Sequence, residues 1–214
     1  MREKLVIWGA GSQALIVADI IRLREQYEIV GFLDNINREC AGTEFCGALI
    51  LGGEEQLDAL RRQGVNNLIC AVGMARARLQ LTVLARAKGF QLVTAIHPRA
   101  VIASGVSIGA GTVIMAGAVV NPAARVGENA IINVCASVDH ECTIEDAVLI
   151  GPGAHLGGGV TVERSATVEI GATIAGGLRI GAESVVGAGS VVLADIPSRV
   201  LAYGIPAKVI RSIP

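Results

Sequence analysis

The sequence of 214 residues has few aromatic side chains and no excess of charge of either sign. It contains three Phe, two Tyr and one Trp, and its 18 basic residues are balanced by 19 acidic ones. A nucleic-acid surface needs basic clusters or aromatic stacking platforms, so this composition argues against one. The sequence also lacks any apolar run of the roughly 18 residues that a membrane-spanning helix needs, and we expect no membrane span.

Cysteine is scarce too, and its spacing does not suggest disulfides. There are five cysteines, an odd number without CxxC spacing: Cys40, Cys46, Cys70, Cys135 and Cys142. This pattern, together with an N-terminus that lacks a signal-peptide pattern, favours a cytoplasmic protein with reduced thiols. Cys142 lies two residues after a histidine, and we interpret it as a small buried residue rather than a nucleophile.

What the sequence does contain is a period of six. An aliphatic residue occupies every sixth position from Ile102 to Val192 without a break. Six matches neither the 3.6 of an α-helix nor the 2 of a β-strand, so each unit must be a short extended segment followed by a corner. Glycines between the aliphatic residues relieve steric limits at those corners. Such hexapeptide repeats predict a parallel β-helix with a continuous aliphatic core.

The register and the Gly, Ala and Ser residues that fill it resemble the hexapeptide acyltransferases. The resemblance implies a prism-shaped, left-handed parallel β-helix with three hexapeptides in each coil of eighteen residues. Left-handedness is implied by the resemblance alone. A repeat that serves only as a scaffold stays an alternative.

The first hundred residues follow a different pattern. Strand Leu5–Trp8 is expected to lead through Gly9-Ala10-Gly11-Ser12-Gln13-Ala14 into a helix, and a second strand to end at Asp34-Asn35. A GxGxxA turn followed by an acidic residue is typical of nucleotide-binding βαβ units. The glycines let the backbone approach a pyrophosphate, and the N–H groups at the helix start face it. Asp34 could accept hydrogen bonds from a ribose or a base edge.

We therefore expect residues 1–97 to form an α/β domain with a short Rossmann-like parallel sheet, and residues 98–214 to form the β-helix. About four strands are expected, too few for a dinucleotide fold, so a sugar nucleotide fits better than NAD. A purely structural βα turn stays open as an alternative. Arg78 could reach a phosphate, although a solvated helix face is the favoured interpretation.

The sequence contains three histidines, at His97, His140 and His155. His140 stands beside two carboxylates at a repeat position otherwise given to small residues. Its imidazole could take a proton from an amine or hydroxyl near neutral pH. An adjacent carboxylate could fix its tautomer, with Glu141 as first candidate and Asp139 as second. The three histidines occupy unlike repeat positions, so we expect no metal site and treat His97 and His155 as non-catalytic.

Gly158 lies eighteen residues after His140, which predicts that it occupies the same column one coil further along, roughly 4.8 Å away. It is the middle residue of three consecutive glycines, Gly157-Gly158-Gly159. A backbone N–H exposed there could stabilise the oxyanion of a tetrahedral acyl-transfer intermediate. The sequence thus pairs a candidate base with a candidate oxyanion donor.

The GxG loop, the His-Glu pair and the tail Tyr203-Gly204-Ile205-Pro206-Ala207-Lys208 resemble the bacterial nucleotide-sugar N-acetyltransferases and their sialic acid O-acetyltransferase-like relatives. The resemblance implies a homotrimer with acetyl-CoA between neighbouring helices and a sugar nucleotide in the N-terminal domain. It implies that His140 is the base, Glu141 its partner and Gly158 the donor to the thioester. Implied CoA contacts are Gly157, Gly158, Ile170, Gly176, Gly187 and Ala188. Implied nucleotide contacts are Gly9, Gly11, Ser12, Asp34 and Asn35.

The predicted activity is direct transfer of acetyl from acetyl-CoA to the amine of a nucleotide-linked aminodideoxy sugar in surface-glycan synthesis. Many family members have a Gly-His-Gly loop where this chain has Ser12-Gln13-Ala14, so the sugar stays open. One alternative is a sugar O-acetyltransferase of the sialic acid type. Another is a non-catalytic trimeric scaffold or sugar-nucleotide sensor.

Overall fold

The computed structural model of the chain describes residues 2–213. The chain forms two compact units, divided in sequence between Pro98 and Arg99. None of the helices within residues 2–213 is long and apolar enough to cross a bilayer.

The N-terminal unit is an α/β domain. Its strands are β1 (Glu3–Trp8), β2 (Tyr27–Leu33), β3 (Glu44–Phe45), β4 (Ala48–Gly52), β5 (Asn67–Cys70), β6 (Gln91–Leu92) and β7 (Ala95–Ile96). Its helices are α1 (Ser12–Arg24), α2 (Leu57–Arg62) and α3 (Ala75–Ala87), with short 3₁₀ turns at Arg38–Cys40 and Glu54–Gln56. Six strands form one sheet in the order β3-β4-β2-β1-β5-β6. All its pairs are parallel except β3 with β4.

The central strand of this sheet explains its core. Leu5, Val6, Ile7 and Trp8 of β1, which lies between β2 and β5 in the sheet, are all buried. Continuous apolar runs of this kind are typical of strands covered on both faces. The carboxyl end of β1 leads directly into Gly9 and α1, which sets the position of the glycine-rich turn.

The sheet has more strands than the four that we expected. The addition is the hairpin of β3 and β4, in which Phe45 pairs with Ala48 across a two-residue turn. That turn has positive φ at both Cys46 (48°) and Gly47 (70°), as a tight hairpin requires. Cysteine is an unusual residue at the first of these positions, which is why the sequence pattern did not reveal the hairpin.

The C-terminal unit is the predicted left-handed β-helix. Two-residue strands recur every six residues: β8 (Val101–Ile102), β9 (Ser107–Ile108), β10 (Val113–Ile114), β11 (Val119–Val120), β12 (Arg125–Val126), β13 (Ile131–Ile132), β14 (Ser137–Val138), β15 (Thr143–Ile144), β16 (Leu149–Ile150), β17 (His155–Leu156), β18 (Thr161–Val162), β19 (Thr167–Val168), β20 (Thr173–Ile174), β21 (Arg179–Ile180), β22 (Val185–Val186) and β23 (Val191–Val192). A hairpin of β24 (Val200–Gly204) and β25 (Ala207–Ser212) closes the chain.

Each short strand from β8 to β20 pairs in parallel with the strand eighteen residues further along. Val120 pairs with Val138, and Val138 pairs with Leu156, in unbroken register. The pairing produces three sheets, which are the three faces of the prism. From Ile114 to Val192 every sixth-position aliphatic residue is at most 3% exposed, so the predicted core is confirmed.

The corners of the prism have a repeated backbone conformation. Every sixth residue from Gly105 to Gly189 has positive φ, whether or not it is glycine. The non-glycine residues in this series are Ala123, Asn129, Cys135, Glu141, Ala147, Ser165 and Glu183. A left-handed conformation costs an L-residue about 1–2 kcal/mol. A ladder hydrogen bond offsets this cost at each of these corners from Asn129 to Gly189, as where Gly159 N–H donates to His140 O at 2.8 Å.

Candidate active site

His140 and Glu141 occupy a corner of the prism just after β14. The Nδ1 atom of His140 lies 3.0 Å from Glu141 Oε2, and both side chains are more than half exposed. A proton on Nδ1 is therefore held by the carboxylate, which leaves Nε2 as the nitrogen that can take a proton from a substrate. This is the arrangement that a general base and its orienting acid require.

Asp139 has a different contact with the same histidine. Its Oδ1 accepts hydrogen bonds from the backbone N–H of His140 (2.8 Å) and from Asn121 Nδ2 (2.7 Å). The hydrogen bond from Asn121, followed by that from the His140 N–H, holds the pKa of Asp139 below its ordinary value. Of the two candidate orienting carboxylates, Glu141 contacts the ring and Asp139 anchors the backbone.

Gly158 lies directly against the His140 ring. A Cβ atom on Gly158 would stand 2.5 Å from both Cε1 and Nε2 of His140, so only glycine fits beneath the imidazole in this orientation. Within residues 2–213, the N–H of Gly158 donates to no acceptor. The predicted column is therefore present, with an unused backbone donor beside the imidazole.

Bare backbone continues along the column. A Cβ on Gly157 would lie 2.7 Å from Gly176 N, and one on Gly176 would lie 3.0 Å from Gly158 O. These three glycines, three of the six predicted CoA contacts, form a continuous strip without side chains beside His140. Such a strip lets a ligand approach the backbone closely.

The other predicted CoA contacts lie at a different corner. Ile170 and Ala188 are eighteen residues apart and so share a corner column, but that column is not the one that contains His140. Gly187 stands beside Ala188, where a Cβ would approach Tyr203 Cβ to 2.8 Å. A single β-helix thus brings together three of the six predicted CoA contacts and separates them from the remaining three.

His155 and Cys142 lie close in sequence to the residues of the His140 corner, but their environments differ from that of His140. His155 is on strand β17, and its Nδ1 is 2.8 Å from Ser137 Oγ. Cys142 is fully buried, as predicted, and burial raises the pKa of its thiol. Residues 2–213 contain no group of three His, Cys, Asp or Glu side chains arranged to hold a metal ion.

A separate cleft of about 600 Å³ lies in the N-terminal unit, at the carboxyl ends of β1, β2 and β5. This is where ligands bind in open parallel sheets. All the predicted nucleotide contacts line it: Gly9, Gly11, Ser12, Asp34 and Asn35. Its volume is within the usual range for small-ligand sites.

The two glycines of this cleft have different reasons to be glycine. Gly9 has φ of 132°, and a Cβ there would stand 2.5 Å from Ala71 O, so the close approach of neighbouring strand ends requires glycine. A Cβ on Gly11 would meet nothing within 4 Å. Gly11 precedes the first residue of α1, so its lack of a side chain leaves the N–H groups of the helix start accessible.

The polar side chains of the cleft are fixed by the protein itself. Asp34 Oδ1 accepts the N–H groups of Ile36 (2.7 Å) and Asn37 (3.1 Å), so its carboxylate closes its own loop. Asn35 Oδ1 accepts Trp8 Nε1 at 3.2 Å, which leaves the Asn35 amide nitrogen as a donor. Trp8 and Ile36 also line the cleft, although the sequence pattern indicated only that Trp8 ends a buried strand.

Arg78 corrects both of our expectations for it. It is 1% exposed rather than solvated, and its Nη1 donates to the carbonyl oxygens of Val72 and Gly73 rather than extending toward a phosphate. The reason is that Arg78 lies in the first turn of α3, where its side chain turns back onto the end of β5. Burial lowers its pKa to about 10. Arg78 therefore fixes a turn that lines the cleft.

Comparisons with known proteins cover both units of the chain. Residues 4–83 match the family described as the PglD N-terminal domain. The chain is 38% identical to perosamine N-acetyltransferase from Caulobacter crescentus, solved as a histidine-to-asparagine mutant in complex with CoA and GDP-perosamine. This match covers 98% of the present chain and 97% of the Caulobacter chain, with a TM-score of 0.93. It is 34% identical to the acetyltransferase domain of PglB from Neisseria gonorrhoeae in complex with acetyl coenzyme A, over 98% and 100% of the two chains, with a TM-score of 0.91. A search of curated proteins returns no match.

Proposed function

This chain belongs to the bacterial sugar acetyltransferases of the hexapeptide family, and from that premise we propose that it N-acetylates a nucleotide-linked aminodideoxy sugar with acetyl-CoA. The observation that carries the proposal is the contact of His140 with both Glu141 and Gly158. Similarity to a GDP-perosamine N-acetyltransferase along almost the full chain supports an amine as acceptor rather than a hydroxyl.

The proposed mechanism is direct transfer. The sugar amine attacks the thioester carbonyl carbon while His140 Nε2 takes its proton. Glu141 holds the Nδ1 proton and stabilises the imidazolium that forms. The N–H of Gly158 donates to the oxyanion of the tetrahedral intermediate. Collapse of the intermediate breaks the C–S bond, and CoA leaves as a thiol with the proton from His140.

The cleft of the N-terminal unit is proposed to hold the nucleotide. The N–H groups at the start of α1, beginning at Ser12, are suited to the diphosphate because they carry partial positive charge and are not covered by a Gly11 side chain. The Asn35 amide and the Asp34 carboxylate offer a donor and an acceptor to the ribose or the base. The amino sugar would then extend from the diphosphate.

We propose in addition that the protein is a cytoplasmic homotrimer. Val134 and Ile170 are apolar, 39% and 54% exposed, and share one corner column, which a neighbouring subunit would cover. Trimerisation would also place the Ile170 and Ala188 corner of one helix beside the Gly158 corner of the next, uniting the separated CoA contacts. The five free cysteines suit the reducing cytoplasm. The test is light scattering, with three times 22.0 kDa as the expected mass.

The activity is tested by turnover with acetyl-CoA and a panel of nucleotide-linked 4-amino-4,6-dideoxysugars, with free sugars including sialic acid as comparison. We expect N-acetylated products and thiol release. His140→Ala should lower kcat by about 10² to 10⁴-fold, the usual contribution of a general base. His155→Ala is the matched control and should stay near wild type. Acetylation of hydroxyls alone, or absence of CoA binding in a thermal-shift assay, would contradict the proposal.

A further inference from the structure

The peptide group between Gly157 and Gly158 has a buried donor on its carbonyl side. The Sγ atom of Cys142 donates to Gly157 O at 3.2 Å, and the Cys142 side chain is fully buried. We propose that Cys142 is a positioning residue for acetyl transfer: its thiol orients and polarises the peptide whose N–H, on Gly158, receives the oxyanion. This inference rests on the proposed function of that N–H.

The direction of the Gly158 N–H follows from this contact. In a trans peptide the C=O and N–H bonds point in opposite directions. Since the carbonyl of Gly157 points inward to the buried thiol, the N–H of Gly158 points away from the interior of the coil. The neighbouring groups are also fixed, because Gly157 N–H donates to Ile174 O and Gly177 N–H donates to Gly158 O, both at 2.9 Å. Among the N–H groups of Gly157, Gly158 and Gly159, that of Gly158 alone donates to no acceptor within residues 2–213.

Another corner of the same β-helix contains the same arrangement with one difference. Thr112 occupies the repeat position of Cys142, and its Oγ1 donates to Gly127 O at 2.8 Å, again fifteen residues further along. There the next N–H, on Glu128, is capped by Asp146 Oδ1 at 2.8 Å. The fold can therefore place a side-chain donor on the carbonyl at this repeat position. At the Gly127 corner, the carboxylate of Asp146 accepts the hydrogen bond from the N–H that follows that carbonyl.

At the Gly158 corner the capping acceptor is missing. The residue eighteen positions after Glu128 is Asp146, whereas the residue eighteen positions after Gly158 is Gly176, which has no side chain. Gly157 also has none, so it cannot cap the next N–H as Asp139 caps that of His140. The donor on the carbonyl is thus retained while the acceptor on the N–H is absent, as an oxyanion site requires.

A hydrogen bond to a peptide carbonyl strengthens the N–H of the same peptide as a donor, by roughly 10–30% per bond. The thiol must keep its proton to act in this way, and burial of Cys142 raises its pKa, which favours the protonated form. The side chain acts through the peptide and does not contact the substrate. Its proposed effect is therefore on kcat rather than on the binding of either substrate.

The test compares Cys142→Val with Cys142→Thr. The two replacements have nearly equal shape, and only Thr can donate. Both occur naturally at this repeat position: Val148 and Val160 are fully buried there, and Thr112 makes the corresponding hydrogen bond. We expect Cys142→Val to lower kcat by about two- to eightfold, with both KM values and the CoA dissociation constant unchanged. Cys142→Thr should return kcat to within about twofold of wild type.

Equal kcat in the Val and Thr variants would overturn the inference, as would a parallel rise in KM. Cys142→Ala and Cys142→Ser form a second pair with the same logic if either larger side chain prevents folding, which thermal unfolding will show. Failure of the inference differs from failure of the proposed function. In the first case the wild-type protein acetylates amino sugars and the variants do not differ, whereas in the second the wild-type protein itself has no activity.

Discussion

Replacing Gly158 with alanine should separate activity from stability. The new methyl carbon would stand 2.5 Å from Cε1 and Nε2 of His140, against about 3.5–4.0 Å for an ordinary carbon contact. The imidazole must therefore move by about 1 Å. Its side chain is 58% exposed and can rotate outward at little cost, so we expect the free energy of unfolding to change by less than about 1 kcal/mol.

The same displacement should be costly for catalysis. The hydrogen bond between His140 Nδ1 and Glu141 is 3.0 Å long, so a 1 Å shift of the ring is enough to break it. A misplacement of this size at a reacting group typically costs about 10²-fold in rate. We therefore expect kcat for Gly158→Ala to fall by about 10²-fold.

The assay is thiol release from acetyl-CoA at saturating sugar nucleotide, with chemical denaturation in parallel. Gly153→Ala is the control, because a Cβ there meets nothing within 4 Å and alanine already occupies the same repeat position at Ala123 and Ala147. It should retain wild-type kcat. Near-normal kcat in Gly158→Ala would refute the assignment of the His140 ring position, and a large loss of stability would refute the argument that the ring can move freely.

Two further predictions concern groups that hold the sites in place. Arg78→Met should destabilise the protein by about 1–3 kcal/mol and raise KM for the sugar nucleotide, because the part-buried carbonyl oxygens of Val72 and Gly73 lose their donor. Arg76→Met, on the exposed side of α3, should leave both unfolding and KM unchanged. Asn121→Ala should raise the pKa of Asp139 toward its ordinary value, measurable by carboxyl NMR titration. Because the pKa of Asp139 is lower in the folded protein than in the unfolded chain, the ionised carboxylate stabilises the fold at pH values above its unfolded pKa. This contribution is lost as the pH falls through the pKa of Asp139 in the folded protein. The Asn121→Ala variant should therefore lose less stability than wild type on acidification. An unchanged Asp139 titration would contradict the role given to Asn121.

The period of six was sufficient to predict the β-helix and its core. The repeat is a property of the local sequence, and it needs no knowledge of distant contacts to identify which residues face inward. The column shared by His140 and Gly158 followed from the same period, since one coil contains eighteen residues. The glycine-rich turn likewise indicated the cleft that Gly9 and Gly11 line, because its position between a strand and a helix is a local signal.

What the sequence did not reveal depends on side-chain direction and on tertiary contact. Nothing in the helical pattern of α3 distinguishes a solvated Arg78 from one that turns back onto the end of β5. The hydrogen bond from Cys142 to Gly157 joins residues fifteen positions apart and depends on the pitch of the coil. The separation of Ile170 from Gly158 at different corners also becomes apparent only when each face of the prism is assigned.

Strand pairing at a constant interval of eighteen residues limits how the length of this protein can change in evolution. Insertion or deletion of a whole coil would keep every later residue on its original face. Loss of a single hexapeptide between His140 and Gly158 would instead rotate the remainder of the domain by a third of a turn and separate the imidazole from its amide. Relatives that keep this chemistry should therefore keep the eighteen-residue interval from His140 to Gly158, and elsewhere in the β-helix they should differ in length by multiples of eighteen residues.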